Sequence, residues 1–403
     1  VFSIRGGKAM ARISALRLST AALALAVGGI SNAAWAACDN KTPAAGASVT
    51  CDPNAPNPDT GGILSALEST NPNNITLNVQ ASSTISGIYL GTGATVNLVA
   101  GSSVTGTSTG ANRAIDVAGG NLTISGAVAS PGAAAILLGT ASGSRVTLNS
   151  GGTVTSNGGA GAIVANGDGG FFTINGTVVT NGDYFNPTGT GASVVNLSNN
   201  FITTVGSTGS ITTNGARTVG LVTRGTGSSL SVAGSITANG ANSAAISLIR
   251  NGGTTLTNTL TLATDGTALA TGATSNAIFA ADAAQIDIAG TARTTGISST
   301  ALNLSNTLSG TVINVAGTGR LVSEGGGRGI WVTNNPATIT VASGGFVGDT
   351  SGVSGSNGIV LNTTAALGNS TLTNSGTISV TSGTAILANG GGINLNNLAA
   401  FIH

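Results

Sequence analysis

Charge is what this chain has least of. Of 403 residues, 13 are Lys or Arg, 12 are Asp or Glu and one is His. Only 6% is charged, against roughly 25% in an average soluble domain. Aromatic residues make up 3%, and there are one methionine and two cysteines. Coiled coils and helical bundles are written largely in Leu, Glu, Lys and Arg, and the shortage of the last three excludes them. No basic stripe interleaved with aromatics exists, which excludes nucleic acid as a partner. The cysteines have no His or further Cys nearby to complete a zinc ligand set. Past the N-terminal leader the only lysine is Lys41, so no P-loop can be built. The single His403, at the last position, leaves the abundant Ser hydroxyls without a base. No cofactor is expected. What the chain does have is 64 glycines and 40% hydrophobic residues. That is too apolar for a disordered polyelectrolyte, and the glycines do not keep the three-residue period of collagen.

Residues 1–36 read as a secretory signal peptide. Arg5, Lys8, Arg12 and Arg17 precede an apolar stretch from Ala21 to Ile30, and Ala34-Trp35-Ala36 supplies an A-x-A cleavage pattern ahead of Ala37. The apolar run is far short of the ~20 residues a membrane span needs. Met10 is a candidate start, with residues 1–9 as an upstream extension. Export of this kind implies the Sec machinery and a signal peptidase as partners. Removing the leader leaves nine basic residues against twelve acids. Cys38 and Cys51 then lie in the first turns of the mature chain. Delivery to an oxidising compartment makes a disulfide the natural reading, worth up to ~3 kcal/mol in the loop-entropy model. Residues 37–74 are therefore expected to form a stapled leader and N-terminal cap.

From about residue 75 to 403 the chain repeats in three-part units. The first part is a short alternating strand, as in Val96-Asn97-Leu98, Leu122-Thr123-Ile124, Val146-Thr147-Leu148, Phe172-Thr173-Ile174, Leu230-Ser231-Val232, Ile286-Asp287-Ile288 and Ile339-Thr340-Val341. The second is shorter: Thr153-Val154, Thr177-Val178, Ser210-Ile211, Ser235-Ile236, Thr377-Ile378. Corners follow at Asn157-Gly158, Asn181-Gly182, Asn214-Gly215 and Asn239-Gly240, with Asp265-Gly266 read in the same role, and left-handed backbone is expected at them. Matching Asn residues are placed to stack as a hydrogen-bonded ladder. The third part is an apolar dyad, Ala114-Ile115, Ala135-Ile136, Ala162-Ile163, Ala245-Ile246, Ala277-Ile278, Ala301-Leu302, Gly329-Ile330, Gly358-Ile359 and Ala385-Ile386 among them. Strands this short cannot bury a face alone and must stack on their copies. The expected fold is all-β: a right-handed parallel β-helix of about twelve three-strand coils. At roughly 4.8 Å per coil the rod is on the order of 55 Å long.

The leader Ala37-Cys38-Asp39-Asn40-Lys41-Thr42-Pro43, with Val49-Thr50-Cys51, and the run of G-[ST]-[IV] and A-I-x-L units after it resemble the passenger region of a bacterial autotransporter. The resemblance spans essentially the whole chain. It implies type V secretion from a Gram-negative cell, passage through an outer-membrane β-barrel translocator, and a rod at the cell surface or secreted from it. It also implies adhesion, aggregation or contact with a host or neighbouring cell, including self-association. The sequence stops at Ala399-Ala400-Phe401-Ile402-His403 within a repeat, so the translocator is expected either in cis beyond it or in trans.

Many parallel β-helices process polysaccharides, using paired carboxylates or acids beside a base. Asp265, Asp282, Asp287 and Arg293 fall in neighbouring coils and form the best candidate group, with a surface ion pair between Asp265 and Arg293 as its plainer reading. Candidate contact residues are Trp331, which alternates with Ile330 and Val332 and so faces outward, and Tyr184-Phe185 in a long insertion. Asp168–Phe172 and Ser351–Asn357 read as similar insertions. A flat Thr-rich binding face, as for ice, is a further alternative, with Thr203–Thr213 and Thr254–Thr261 as its threonine-rich stretches.

Overall fold

A computed structural model of the chain describes residues 37–39, 43–53, 73–106, 113–158, 161–183, 192–250, 257–308, 310–398 and 401–402. The signal peptide, with Ala34 and Ala36, lies outside them, as do Lys41, Tyr184, Phe185 and His403.

The described residues form a parallel β-solenoid, each coil adding one strand to each of three faces. One coil runs Ser229–Val232, Ser235–Ala238, Ala244–Ile249, and the next runs Asn258–Leu262, Thr267–Ala270, Asn276–Ala281. Leu230 pairs with Leu260, Ile236 with Ala268 and Ile246 with Ile278, all parallel. Twelve such coils follow one another from Thr76 to Gly390. Alternation within each short strand sends every second side chain inward, where it meets its equivalents from adjacent coils. On the first face Leu77, Val96, Leu122, Val146 and Phe172 make one continuous buried column, and Val79, Leu98, Ile124, Leu148 and Ile174 make another. Phe172 thus belongs to the core, edge-on to Phe201 at 5.4 Å between centroids, and only the first residues of Asp168–Phe172 form a loop.

The rod begins earlier than residue 75. Ser48–Asp52 is already a rung of the first face, parallel to Thr76–Val79, and Ala37–Cys38 pairs antiparallel to its outer side. Cys38 and Cys51 sit directly opposite each other and are joined by a disulfide. Cys51 also heads the inward column continued by Val79 and Leu98. The buried bridge therefore stands on the end of the hydrophobic core while it closes the loop.

The Ala-Ile dyads break the alternation. Ala245 and Ile246 are both fully buried, as are Ala277 with Ile278 and Ala301 with Leu302. The first of each pair packs against backbone, so it must be small. A Cβ on Gly220, which precedes Leu221 in the same position, would lie 2.6 Å from the Ala245 carbonyl oxygen.

The Asn-Gly corners differ from expectation in an instructive way. Their glycines are not left-handed. After Gly215 and Gly240 the positive φ falls two residues later, at Arg217 and Asn242, and the equivalent Thr271-Gly272 and Thr295-Gly296 corners place it at Thr274 and Ser298, with φ of 52–56° throughout. Glycine is required because the corners of successive coils touch: a Cβ on Gly215 would overlap the Gly182 carbonyl oxygen, one on Gly240 that of Gly215, and one on Gly272 that of Gly240. Outside this stack the asparagines form the ladder. Asn181 Nδ2 donates to Asn157 Oδ1 at 2.9 Å, Asn214 to Asn181 at 2.8 Å and Asn239 to Asn214 at 2.8 Å. Inside it a second ladder runs through buried hydroxyls. The amides of Thr218, Ser243 and Ser275 donate to the Oγ of Ser243, Ser275 and Ser299 at 3.0–3.1 Å. Asp265-Gly266 belongs to the other corner, between the first and second faces, where Gly266 packs against the Val232 carbonyl.

The corner's contacts rank two substitutions. Gly240→Ala forces backbone apart and is expected to cost about 3 kcal/mol. Asn239→Ala, two exposed rungs lost, should cost about 1 kcal/mol. Urea unfolding of the two variants checks the order.

Candidate functional site

The four residues of the candidate catalytic group are not brought together. They occupy four different positions around the perimeter: Asp282 at the corner from third to first face, Asp287 on the first face, Asp265 at the next corner and Arg293 on the second face. Each side chain that makes a polar contact makes it elsewhere. Arg293 pairs with Glu324 in the following coil rather than with Asp265, which is exposed in its turn. Asp287 does face outward from its strand, accepting from Gln285 Nε2 at 2.6 Å and from Asn314 Nδ2 at 2.8 Å.

Asp282 is the exception to the solvated pattern. It is buried, at a left-handed φ of 59°. Its carboxylate accepts from the Arg250 guanidinium at 3.1 and 3.2 Å, from the Leu308 amide at 2.8 Å, and from the amide and hydroxyl of Thr307. Those donors come from the coil before and the coil after, so one carboxylate pins three. Burial opposes its ionisation, but the hydrogen bonds from Thr307, Leu308 and Arg250 outweigh burial and hold its pKa below the ordinary 3.8. The pattern identifies a structural staple. Asp349, also buried, serves similarly: it ends the second-face strand Phe346–Asp349 and accepts from the amides of Gly327 at 3.2 Å and Ser351 at 2.9 Å and from the Ser351 hydroxyl. Among the described residues no group of three or more His, Cys, Asp or Glu is placed to hold a metal ion.

Two of the three outer faces are lined with hydroxyls in register. On the first face the outward column reads Thr123, Thr147, Thr173, Thr204, Ser231, Thr261. On the second it reads Thr153, Thr177, Ser210, Ser235, Thr267, Thr291. Thr203, in one of the stretches singled out for its threonines, instead points into the core and is buried. The signal for the columns lay in the first residue of each Thr-Val and Ser-Ile pair on the second face and in the middle residue of triplets such as Val146-Thr147-Leu148 on the first.

The third face is different. The column that alternates with its core positions runs Asn196, Val222, Ser247, Phe279, Asn303, Trp331, Val360, and of these Val222, Ser247 and Val360 are buried. Trp331 is only partly exposed, because the Arg328 guanidinium lies 4.4 Å from its ring centroid and covers one face. Burial depresses the Arg328 pKa. The same arrangement recurs where Arg145 stacks on the exposed Phe171 at 4.1 Å and Arg320 on Phe346 at 5.9 Å. Sequence reading picked Trp331 and missed Phe171, which alternation places outward next to the buried Phe172.

No family model, curated protein or solved structure matches the chain.

The Asp282 staple has a pH signature. Its folded pKa lies below the unfolded one, so its contribution is complete above about pH 4 and is lost as pH falls through the folded value. Asp282→Ala is expected to cost about 3 kcal/mol at neutral pH, because it removes a buried carboxylate that accepts from Arg250, Leu308 and Thr307. In urea titrations the gap between variant and parent should narrow below about pH 4.

Proposed function

We propose that this chain is the passenger rod of an autotransporter-like protein: an exported, non-catalytic scaffold that makes contact with a surface, with neighbouring cells or with other copies of itself. The observation that carries the reading is the pair of in-register hydroxyl columns, six coils long on each of two faces. A hydroxyl-lined face of this kind makes many weak contacts at once, because each hydroxyl both donates and accepts. Charge beside the columns is sparse, with Arg145 on the first face and the Arg293–Glu324 pair on the second, so little like-charge repulsion holds a partner surface away. The disulfide at the head of the rod supports delivery to an oxidising compartment, and the apolar leader ahead of it supports Sec export. The translocator would then be an outer-membrane β-barrel, in cis or in trans.

The same columns favour a second reading, a binder of an ordered solid surface such as ice. Here the hydroxyls act as a regular array, one per coil, rather than as a patch for another macromolecule.

Beads coated with the purified chain test the first reading. Thr177→Lys, Ser210→Lys and Thr267→Lys together place three like charges on the second face, and they should reduce bead clustering or attachment to cells at least tenfold. Clustering and attachment equal to the parent, in a variant that melts normally, would contradict it. Inhibition of ice recrystallisation by the parent but not the triple variant would move the assignment to the second reading.

A further inference from the structure

The Asn ladder sets out four identical Asn-Gly dipeptides at equivalent corners, all four asparagines exposed. In three of them the side-chain amide is held at both ends. Asn181 donates to Asn157 and accepts from Asn214; Asn214 donates to Asn181 and accepts from Asn239. Asn239 donates to Asn214 and accepts from the Thr271 hydroxyl at 3.2 Å. Asn157 accepts from Asn181, but it ends the ladder. The strand pairing places Pro131 beneath it, which offers no side-chain acceptor for the Asn157 amide.

We propose that Asn157 is a site of spontaneous modification, converted to a carboxylate through a cyclic imide, while the ladder protects the other three. In the step, the Gly158 backbone nitrogen loses its proton to hydroxide and attacks Asn157 Cγ. The new N–Cγ bond forms as the Cγ–Nδ2 bond breaks and ammonia leaves with a proton from water. Water then adds to one carbonyl of the five-membered ring and opens it, giving aspartate or its β-linked isomer. The balance is amide plus water to carboxylate plus ammonium, with no oxidation or reduction.

Ring closure turns the side chain toward the next residue, so it must first leave the ladder. Asn181, Asn214 and Asn239 each give up two rungs, and Asn157 gives up one. The product also fits better at the end. An aspartate at 157 still accepts from Asn181, now through a charge-assisted bond. At 181 or 214 a carboxylate would replace the donor and face the oxygen of the rung below.

The measurement is peptide mapping by mass spectrometry after the folded chain is held in mildly alkaline buffer. Each rate is divided by that of the same peptide in the urea-unfolded chain, which removes sequence effects. Asn157 is expected to convert about fivefold faster than the other three, the factor corresponding to one rung of typical net strength. A second variant moves the end of the ladder. Asn181→Ala leaves Asn214 without an acceptor, so Asn214 should accelerate about fivefold while Asn239 stays unchanged. Equal normalised rates at the four sites, or an Asn214 rate that ignores Asn181→Ala, would overturn the proposal.

Discussion

Every feature of the rod depends on the hydrogen bonding of each coil to the coil before and after it. A strand such as Ser235–Ala238, four residues long, has too little side chain to bury on its own and no hairpin partner. Its backbone groups are satisfied only by Ser210–Thr213 on one side and Thr267–Ala270 on the other. Once that pairing is parallel and in register, like must lie over like. Apolar side chains then fall into columns that fill the core, and polar ones into columns that line the faces. This explains how a chain with 3% aromatics can fold. Val, Ile, Leu and Ala stacked on their own kind leave little space for large rings, and Phe172 with Phe201 is a local enlargement of the column.

The same constraint explains the glycines. Where the chain turns, coils approach through their backbones, and the carbonyl of one corner lies where a side chain of the next would begin. Gly215, Gly240 and Gly272 are excluded volume made visible in sequence. Polar groups at the corner are arranged around that contact in two concentric ladders, asparagine amides outside and serine hydroxyls inside. Charge has little place in such a structure. The buried carboxylates are staples: Asp282 ties three coils through Arg250 and Thr307.

Much of the fold was legible because period-two alternation and repetition are properties of sequence alone. The strands at Val146-Thr147-Leu148 and Ser235-Ile236, the Ala-Ile dyads and the Asn ladder are all readable in the residues themselves. Three things were not. The left-handed residues at Arg217, Asn242, Thr274 and Ser298 share no residue type, because what fixes them is the amide each donates to the next coil. The rung at Ser48–Asp52 stands apart from the repeat and declares itself only through its pairing with Thr76–Val79. The partners of Asp282 and Arg293 depend on how many residues each loop inserts. Placement in neighbouring coils pointed to Asp265 for Arg293, and the coil geometry chose Glu324. The four residues of the candidate catalytic group lie apart for that reason, and the hydroxyl columns emerged by the opposite one, since register aligns what spacing obscures.

The central claim is that coils stack in parallel with fixed register, and cross-linking of engineered cysteine pairs tests it most directly. Thr177 and Ser210 are 33 residues apart in the chain and paired on the second face, while Thr212 lies one outward position further along the same strand. With the native disulfide intact, a short bis-alkylating reagent should join Thr177→Cys to Ser210→Cys rapidly and Thr177→Cys to Thr212→Cys far more slowly. Equal yields from the two pairs, or no cross-link from the first, would contradict the stacked register on which the columns, the ladders and the binding faces all rest.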